Sequence, residues 1–166
     1  MFKHTLFIGM FFVVVSNTIH AEELYAEIGA SFVDTNKIDN VAIGPIIRGG
    51  YLFKEESNSL GLEIEANPMS VKTQNTGNGH NNRDMAITLG TYLVYSFQIP
   101  DTPIRLRPRI GLVFPNLGEN LYKDNNSVAF GMSGLYDINK MFSVFISYGN
   151  FGSSANQYST GLSVRF

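Results

Sequence analysis

Few side chains in this sequence could do chemistry. With no cysteine anywhere, disulfides, thiolate metal sites and thiol nucleophiles are excluded. His4 and His20 lie near the N-terminus, and His80 sits in the stretch Asn75-Thr76-Gly77-Asn78-Gly79-His80-Asn81-Asn82. A lone imidazole beside Asp84 forms no recognised metal site, so His80 reads as a solvated loop residue. The glycines around it lack the lysine and hydroxyl of a phosphate-binding loop and read as loop composition. What recurs instead is arginine and glutamate at alternate positions: Glu63 and Glu65, then Arg105, Arg107 and Arg109, with Glu27, Arg48 and Arg165 elsewhere. Guanidinium forks match carboxylates in shape and charge. The chemistry on offer is ion pairing, with no catalytic group, metal or cofactor expected.

These charges need elements to hold them. At 166 residues the chain is long enough for one domain, and its 44% apolar and 13% aromatic content excludes a disordered polymer. Charged residues are only 16%, and a net charge of -2 with a pI near 5.9 argues against nucleic acid as a partner. Met1 to Ala21 runs from a basic start through the apolar Leu6–Val15 to small and polar residues, the order of a secretory signal peptide. Cleavage is expected after Ala21, which leaves 22–166 as the domain. The apolar run is about half the ~20 residues that a spanning helix needs.

From Leu24 onward the period is two, and it recurs eight times. Leu24, Ala26, Ile28, Ala30 and Phe32 alternate with Tyr25, Glu27, Gly29 and Ser31. Ile104, Leu106, Ile110 and Leu112 alternate with Arg105, Arg107, Arg109 and Gly111. The last segment sets Tyr158, Thr160, Leu162, Val164 and Phe166 against Ser159, Gly161, Ser163 and Arg165. Such alternation specifies strands with two unlike faces. A soluble barrel of lipocalin type would bury the apolar face; a transmembrane barrel would turn it toward lipid. The polar set decides. It holds five of the six arginines, with glycine and serine, and no lysine in mid-strand, the composition of a crowded interior rather than of a wet surface.

Connection lengths agree with the membrane alternative. Asp34–Val41, Asn67–Arg83, Pro115–Ser127 and Asn150–Gln157 are each longer than Glu55–Asn58, Ile99–Thr102 and Ile138–Lys140, the long-and-short alternation of outer-membrane barrels. Tyr51, Phe53, Tyr95, Phe97, Tyr136, Phe142 and Phe166 are expected outward at the end with short turns. Phe32, Phe114, Phe130, Tyr148 and Tyr158 are expected outward at the other, giving two interfacial aromatic rings. Pro45, Pro108 and the Gly134-Leu135 pair permit bulges. The fold class is therefore all-β: an eight-stranded antiparallel up-and-down transmembrane β-barrel with N- and C-termini in the periplasm.

The pattern, with Gly49-Gly50-Tyr51, Gly61-Leu62-Glu63, Arg107-Pro108-Arg109-Ile110-Gly111 and Leu162-Ser163-Val164-Arg165-Phe166, resembles the small outer-membrane β-barrel family. That family includes opacity-type proteins and relatives of the OmpA membrane domain and OmpX. The resemblance covers the domain from residue 22 and implies residence in the cell outer membrane among lipid and lipopolysaccharide. It also implies that Tyr158, Leu162, Val164 and Phe166 form the terminal signal read by the barrel-assembly machinery. An eight-stranded barrel is just wide enough for its own side chains. Glu27, Arg48, Glu63, Glu65, Arg105, Arg107, Arg109 and Arg165 are therefore expected to form an interior charge network that plugs it.

Lipid A deacylases of this architecture carry a histidine on late strands, and none stands between Phe142 and Phe166. A hydroxyl without a base is a poor nucleophile. A monomeric, non-enzymatic barrel with an envelope-structural or adhesin-like role follows, with an extracellular partner met through loops 67–83 and 115–127. A lipid A-modifying enzyme and a lipocalin-like binding barrel are the alternatives.

Overall fold

A computed structural model describes residues 23–35, 41–53, 58–74, 81–117, 127–151 and 155–166. They form eight strands: β1 (Glu23–Thr35), β2 (Ala42–Leu52), β3 (Asn58–Gln74), β4 (Asn81–Gln98), β5 (Ile104–Leu117), β6 (Ser127–Asp137), β7 (Phe142–Phe151) and β8 (Ala155–Arg165). Each pairs antiparallel with the next, and β8 returns to β1, closing the barrel. Closure leaves no strand without a neighbour on both sides, which an apolar exterior requires, because hydrocarbon offers no hydrogen bonds. The expected leader and the expected cleavage after Ala21 lie outside the described residues, as does His80.

Register sets the shape. Following paired residues around the wall leads from Glu23 to Leu52, Gly61, Val94, Arg109, Gly131, Gly149, Gln157 and back to β1 at Val33, ten positions above the start. At ~3.3 Å per residue and ~4.8 Å between eight strands, that stagger tilts the strands by about 40°, within the range of membrane-spanning barrels.

The alternation of the sequence becomes an inside and an outside. Ile28, Ile47, Leu62, Leu93, Ile110, Phe130 and Ile146 are exposed on the outer face, Ile146 to 68%, while Arg48, Arg107, Glu27 and Glu63 are 0–2% exposed. Tyr51 departs from the expected aromatic ring. Its parity is outward, yet it is only 8% exposed, with the Phe53 ring edge-on at 5.3 Å.

No bulge forms at Pro45, Pro108 or Gly134-Leu135, because every register among the described pairs is constant along its length. The prolines interrupt hydrogen bonding instead. The β2–β3 ladder skips Gly44 to Ile46, where Pro45 stands at the register position of Pro68, and the β4–β5 ladder skips the level of Pro108. Neither proline has an N–H to donate.

The long connections are shorter than the alternation suggests. β3 runs on to Gln74 and β4 starts at Asn81, so much of 67–83, including Lys72 and Arg83, is strand; β5 likewise continues to Leu117. Backbone pairing carries these extensions although their sequence no longer alternates between apolar and polar residues.

Inward glycines let neighbouring strands approach closely. A Cβ built at Gly111 would be driven into the Thr91 carbonyl of β4, and at the β1–β8 seam Gly29 and Gly161 face each other with the same constraint. Gly111→Val is expected to cost at least ~2 kcal/mol, the cost of overpacking where backbone cannot yield. The barrel's detergent-resistant gel mobility should then be lost at a lower temperature than in the parent.

Candidate functional site

The inward-facing positions of the strands converge on a ladder of ion pairs along the barrel axis. Each charged residue is placed there by period two, one every second residue. In the middle, Arg48 of β2 donates from Nε to Glu65 Oε2 at 2.7 Å and from Nη1 to Glu27 Oε2 at 3.2 Å. Its Nη2 reaches across the lumen to the Ser147 and Ser159 hydroxyls, 2.9 Å each, and these two serines lie 2.5 Å apart. Arg107 donates to Glu27 Oε1 at 2.7 Å, and Arg109 bridges Glu63 and Glu65 at 3.0 and 2.8 Å. Three guanidiniums thus meet three carboxylates, all essentially removed from solvent.

Nearer the termini lies a second cluster. Arg105 contacts Glu23 at 3.3 Å and Asp137 at 3.0 Å, and Arg165 contacts the same two acids at 3.9 and 3.3 Å. Ser143 donates to Asp137 at 2.6 Å. Arg165 Nη2 also donates to the Asn139 carbonyl, at 3.2 Å, fastening β8 to the turn between β6 and β7. Both clusters balance, five guanidiniums against five carboxylates. Burial of that many ions is tolerable only because each is paired and hydrogen-bonded.

The eight charged residues singled out in the sequence all sit in these two clusters, with Arg165 half-buried at the mouth. Several partners were not singled out. Tyr25 donates to Glu63 Oε2 at 2.7 Å, and its ring carries the Arg107 guanidinium 3.9 Å from its centroid. Tyr92 carries Arg109 at 4.7 Å and Phe145 carries Arg48 at 5.2 Å. Arginine stacks readily on aromatic faces. Here the faces serve Arg107 and Arg109, whose Nε and Nη2 atoms find no acceptor among the described residues. Gly50 and Gly90 leave the space for the two tyrosine rings, and Gly131 leaves it for the Arg109 side chain. The signal was parity: Tyr25 and Tyr92 alternate in step with Glu27 and Thr88. Glu23 begins its strand and had no preceding alternation to mark it.

Tyr25→Phe keeps the ring over Arg107 and deletes the hydroxyl that Glu63 accepts from. A loss of ~1–2 kcal/mol in folding stability is expected, read as a lower urea midpoint for unfolding from detergent or lipid.

At the rim away from the termini the interior turns apolar. Val33, Ala42, Met69, Val113, Ala129, Phe151 and Ala155 are buried together there, and below them Ser31 donates to Asn67 at 2.9 Å. The lumen is therefore charged over only part of its length, which the polar composition of the inward set had not suggested. Among the terminal residues, Tyr158, Leu162 and Phe166 are exposed on the outer face and Val164 is half-buried, with Phe166 N–H donating to the Leu24 carbonyl at 2.9 Å.

No family model matches the chain, and no curated protein matches it by sequence. Solved structures do. The attachment invasion locus protein Ail of Yersinia pestis, in a complex with the heparin analogue sucrose octasulfate, is 14% identical with a TM-score of 0.58, over 87% of this chain and 98% of that one. Neisserial surface protein A is 13% identical with a TM-score of 0.53, over 86% and 97%. OprG, an outer-membrane protein of Pseudomonas aeruginosa, is 14% identical with a TM-score of 0.56, over 89% and 97%. At such identities the likeness is one of fold. This chain therefore shares the fold of small eight-stranded outer-membrane β-barrels: closed, all-antiparallel and inverted in polarity relative to a soluble protein.

Proposed function

We propose that this chain is an integral, monomeric outer-membrane protein that works as a surface-interaction module and has no enzymatic activity. Its termini lie in the periplasm and its long connections outside. The barrel is the scaffold, and the neutral ladder of five arginines and five carboxylates plugs it. Tyr158, Leu162, Val164 and Phe166 serve the assembly machinery, and outer-membrane lipid with lipopolysaccharide surrounds the apolar belt.

The observation that carries the interaction role is the overhang of β3 and β4. Their mutual pairing runs to Gln74 opposite Asn81, whereas β3 pairs with β2 only as far as Ser70 and β4 with β5 only as far as Ala86. Among the described residues, a two-stranded ribbon therefore rises past its neighbours with backbone edges that no described strand pairs, and such edges accept extended partners. A rigid barrel displaying a projecting element suits recognition. Because Ail, a protein of this fold, has been solved with a heparin analogue, heparin is the first probe for the ribbon.

The test is a deletion of residues 72–83 with a short turn in their place. Retained heat-modifiable gel mobility together with lost binding to heparin-coated surfaces or host cells supports the interaction role. Unchanged binding leaves an envelope-structural role. For the plug, the expected result in planar bilayers is no steady large conductance, and such a conductance would overturn it.

A further inference from the structure

We infer that the outer face of β6, β7, β8 and β1, at the rim away from the termini, is a binding site for the sugar ring of a glycolipid in the surrounding membrane leaflet. This rests on the orientation proposed above, which puts that rim in the outer leaflet.

The register builds the site. Phe32, Tyr158, Tyr148 and Met132 are successive pair partners across β1, β8, β7 and β6. Two residues further along each strand, Asp34, Asn156, Asn150 and Phe130 are partners in the same order. A row aromatic on three of its four strands thus lies ~7 Å below a row that is polar on three of its four. Tyr148 and Tyr158 are 44% and 51% exposed, and their rings meet at 5.4 Å with a 51° tilt. The two rows are tied together. Tyr148 donates its hydroxyl to Asn156 Oδ1 at 2.8 Å, and Asn150 donates to the same oxygen at 2.9 Å. That fixes both amides, and among the described residues it leaves Asn156 Nδ2, Asn150 Oδ1 and the Tyr158 hydroxyl to meet a ligand.

Interfacial tyrosines are common in membrane barrels, so the rings alone specify nothing. Their combination with locked amides does. The C–H faces of a pyranose stack on aromatic rings, and its hydroxyls need both donors and acceptors at the ring edge, which amides supply. A phosphate is poorly served here. The outward positions of these four strands carry no lysine or arginine, and their one charge is Asp34. The ligand is a lipid and not a free sugar because the face continues downward as Ile28, Leu162 and Ile146, all exposed apolar side chains on which acyl chains can lie.

The experiment is native mass spectrometry of the full mature chain released from membranes containing rough lipopolysaccharide or only phosphatidylglycerol. The parent is compared with Tyr148→Leu/Tyr158→Leu and with Asn156→Leu. Leucine keeps the surface compatible with lipid, and heat-modifiable mobility checks that each variant is folded. The expected result is a roughly tenfold loss of retained lipopolysaccharide in the double variant. Asn156→Leu should show a smaller loss, and phosphatidylglycerol retention should be unchanged in all three. Equal lipopolysaccharide retention by parent and double variant, or no preference of the parent over phosphatidylglycerol, overturns the site. A protease site placed between β7 and β8 separates the causes of failure. If it is cleaved on intact cells, the orientation stands and the site alone has failed; if it is cleaved only after permeabilisation, both have failed.

Discussion

Replacing Arg48 with methionine should destabilise the barrel by roughly 3–5 kcal/mol, the largest effect expected of any single interior substitution. The methionine restores volume but leaves Glu27 and Glu65 short of a cation deep in the lumen, and it removes the donor that Ser147 and Ser159 accept from, leaving them only each other. Glu27 keeps Arg107 and Glu65 keeps Arg109, but three buried carboxylates then share two cations, and an uncompensated buried charge costs far more than a pair contributes. The measurement is equilibrium unfolding in urea from phospholipid vesicles. A control sharpens it: the double change of Arg48 to methionine with Glu65 to glutamine removes one charge of each sign and leaves Arg107 with Glu27 and Arg109 with Glu63. It should recover much of the lost stability. If the single variant unfolds with the parent, Arg48 is hydrated rather than paired, and the interior is wetter than a plug allows.

Ile28→Arg is the second large effect, and it separates the two possible worlds of this fold most cleanly. Ile28 is 61% exposed on β1, near the middle of the belt. On a water-soluble barrel an exposed isoleucine can become arginine at almost no cost, within about 0.5 kcal/mol. In a bilayer the same change near the midplane should cost about 2–4 kcal/mol. Ser147, at a similar level but facing inward, gives the contrast: it already lies 2.9 Å from a guanidinium nitrogen. Stability in vesicles reads the difference directly. A neutral Ile28→Arg would reverse the assignment of faces and return the soluble ligand-binding barrel.

Much of this was legible in the chain because strands leave a local trace. Period two put Glu27, Glu63, Glu65 and the three arginines of β5 on one face without reference to any other strand. Where the trace fades, reading fails. The far ends of β3 and β4 run through Lys72, Thr73, Gln74, Asn81 and Asn82, with no apolar partner to mark alternation, and they read as loop. In the fold they are strand, since each backbone finds the other across the hairpin. The bulges that proline permits do not form, because a closed barrel can drop a rung without slipping register. Tyr51 is a departure of another kind: its parity is outward, but Phe53 lies against it.

By itself, the sequence determined that there would be eight two-faced strands, that arginines and glutamates would share one face, and that an apolar face would remain to be turned outward. Those are properties of neighbours two apart, and a sheet cannot alter them. Only the tertiary structure decided which charges meet. Arg48 binds Glu65 on the adjacent strand, but also Ser147 and Ser159, 99 and 111 residues away, because closure with a stagger of ten residues brings β2 across the lumen from β7 and β8. The same closure stacked Arg107 on Tyr25, gathered an apolar layer at one rim and aligned Tyr148 with Tyr158. Parity is local and can be read along the chain; register around a closed barrel is a global condition, satisfied only when all eight strands meet.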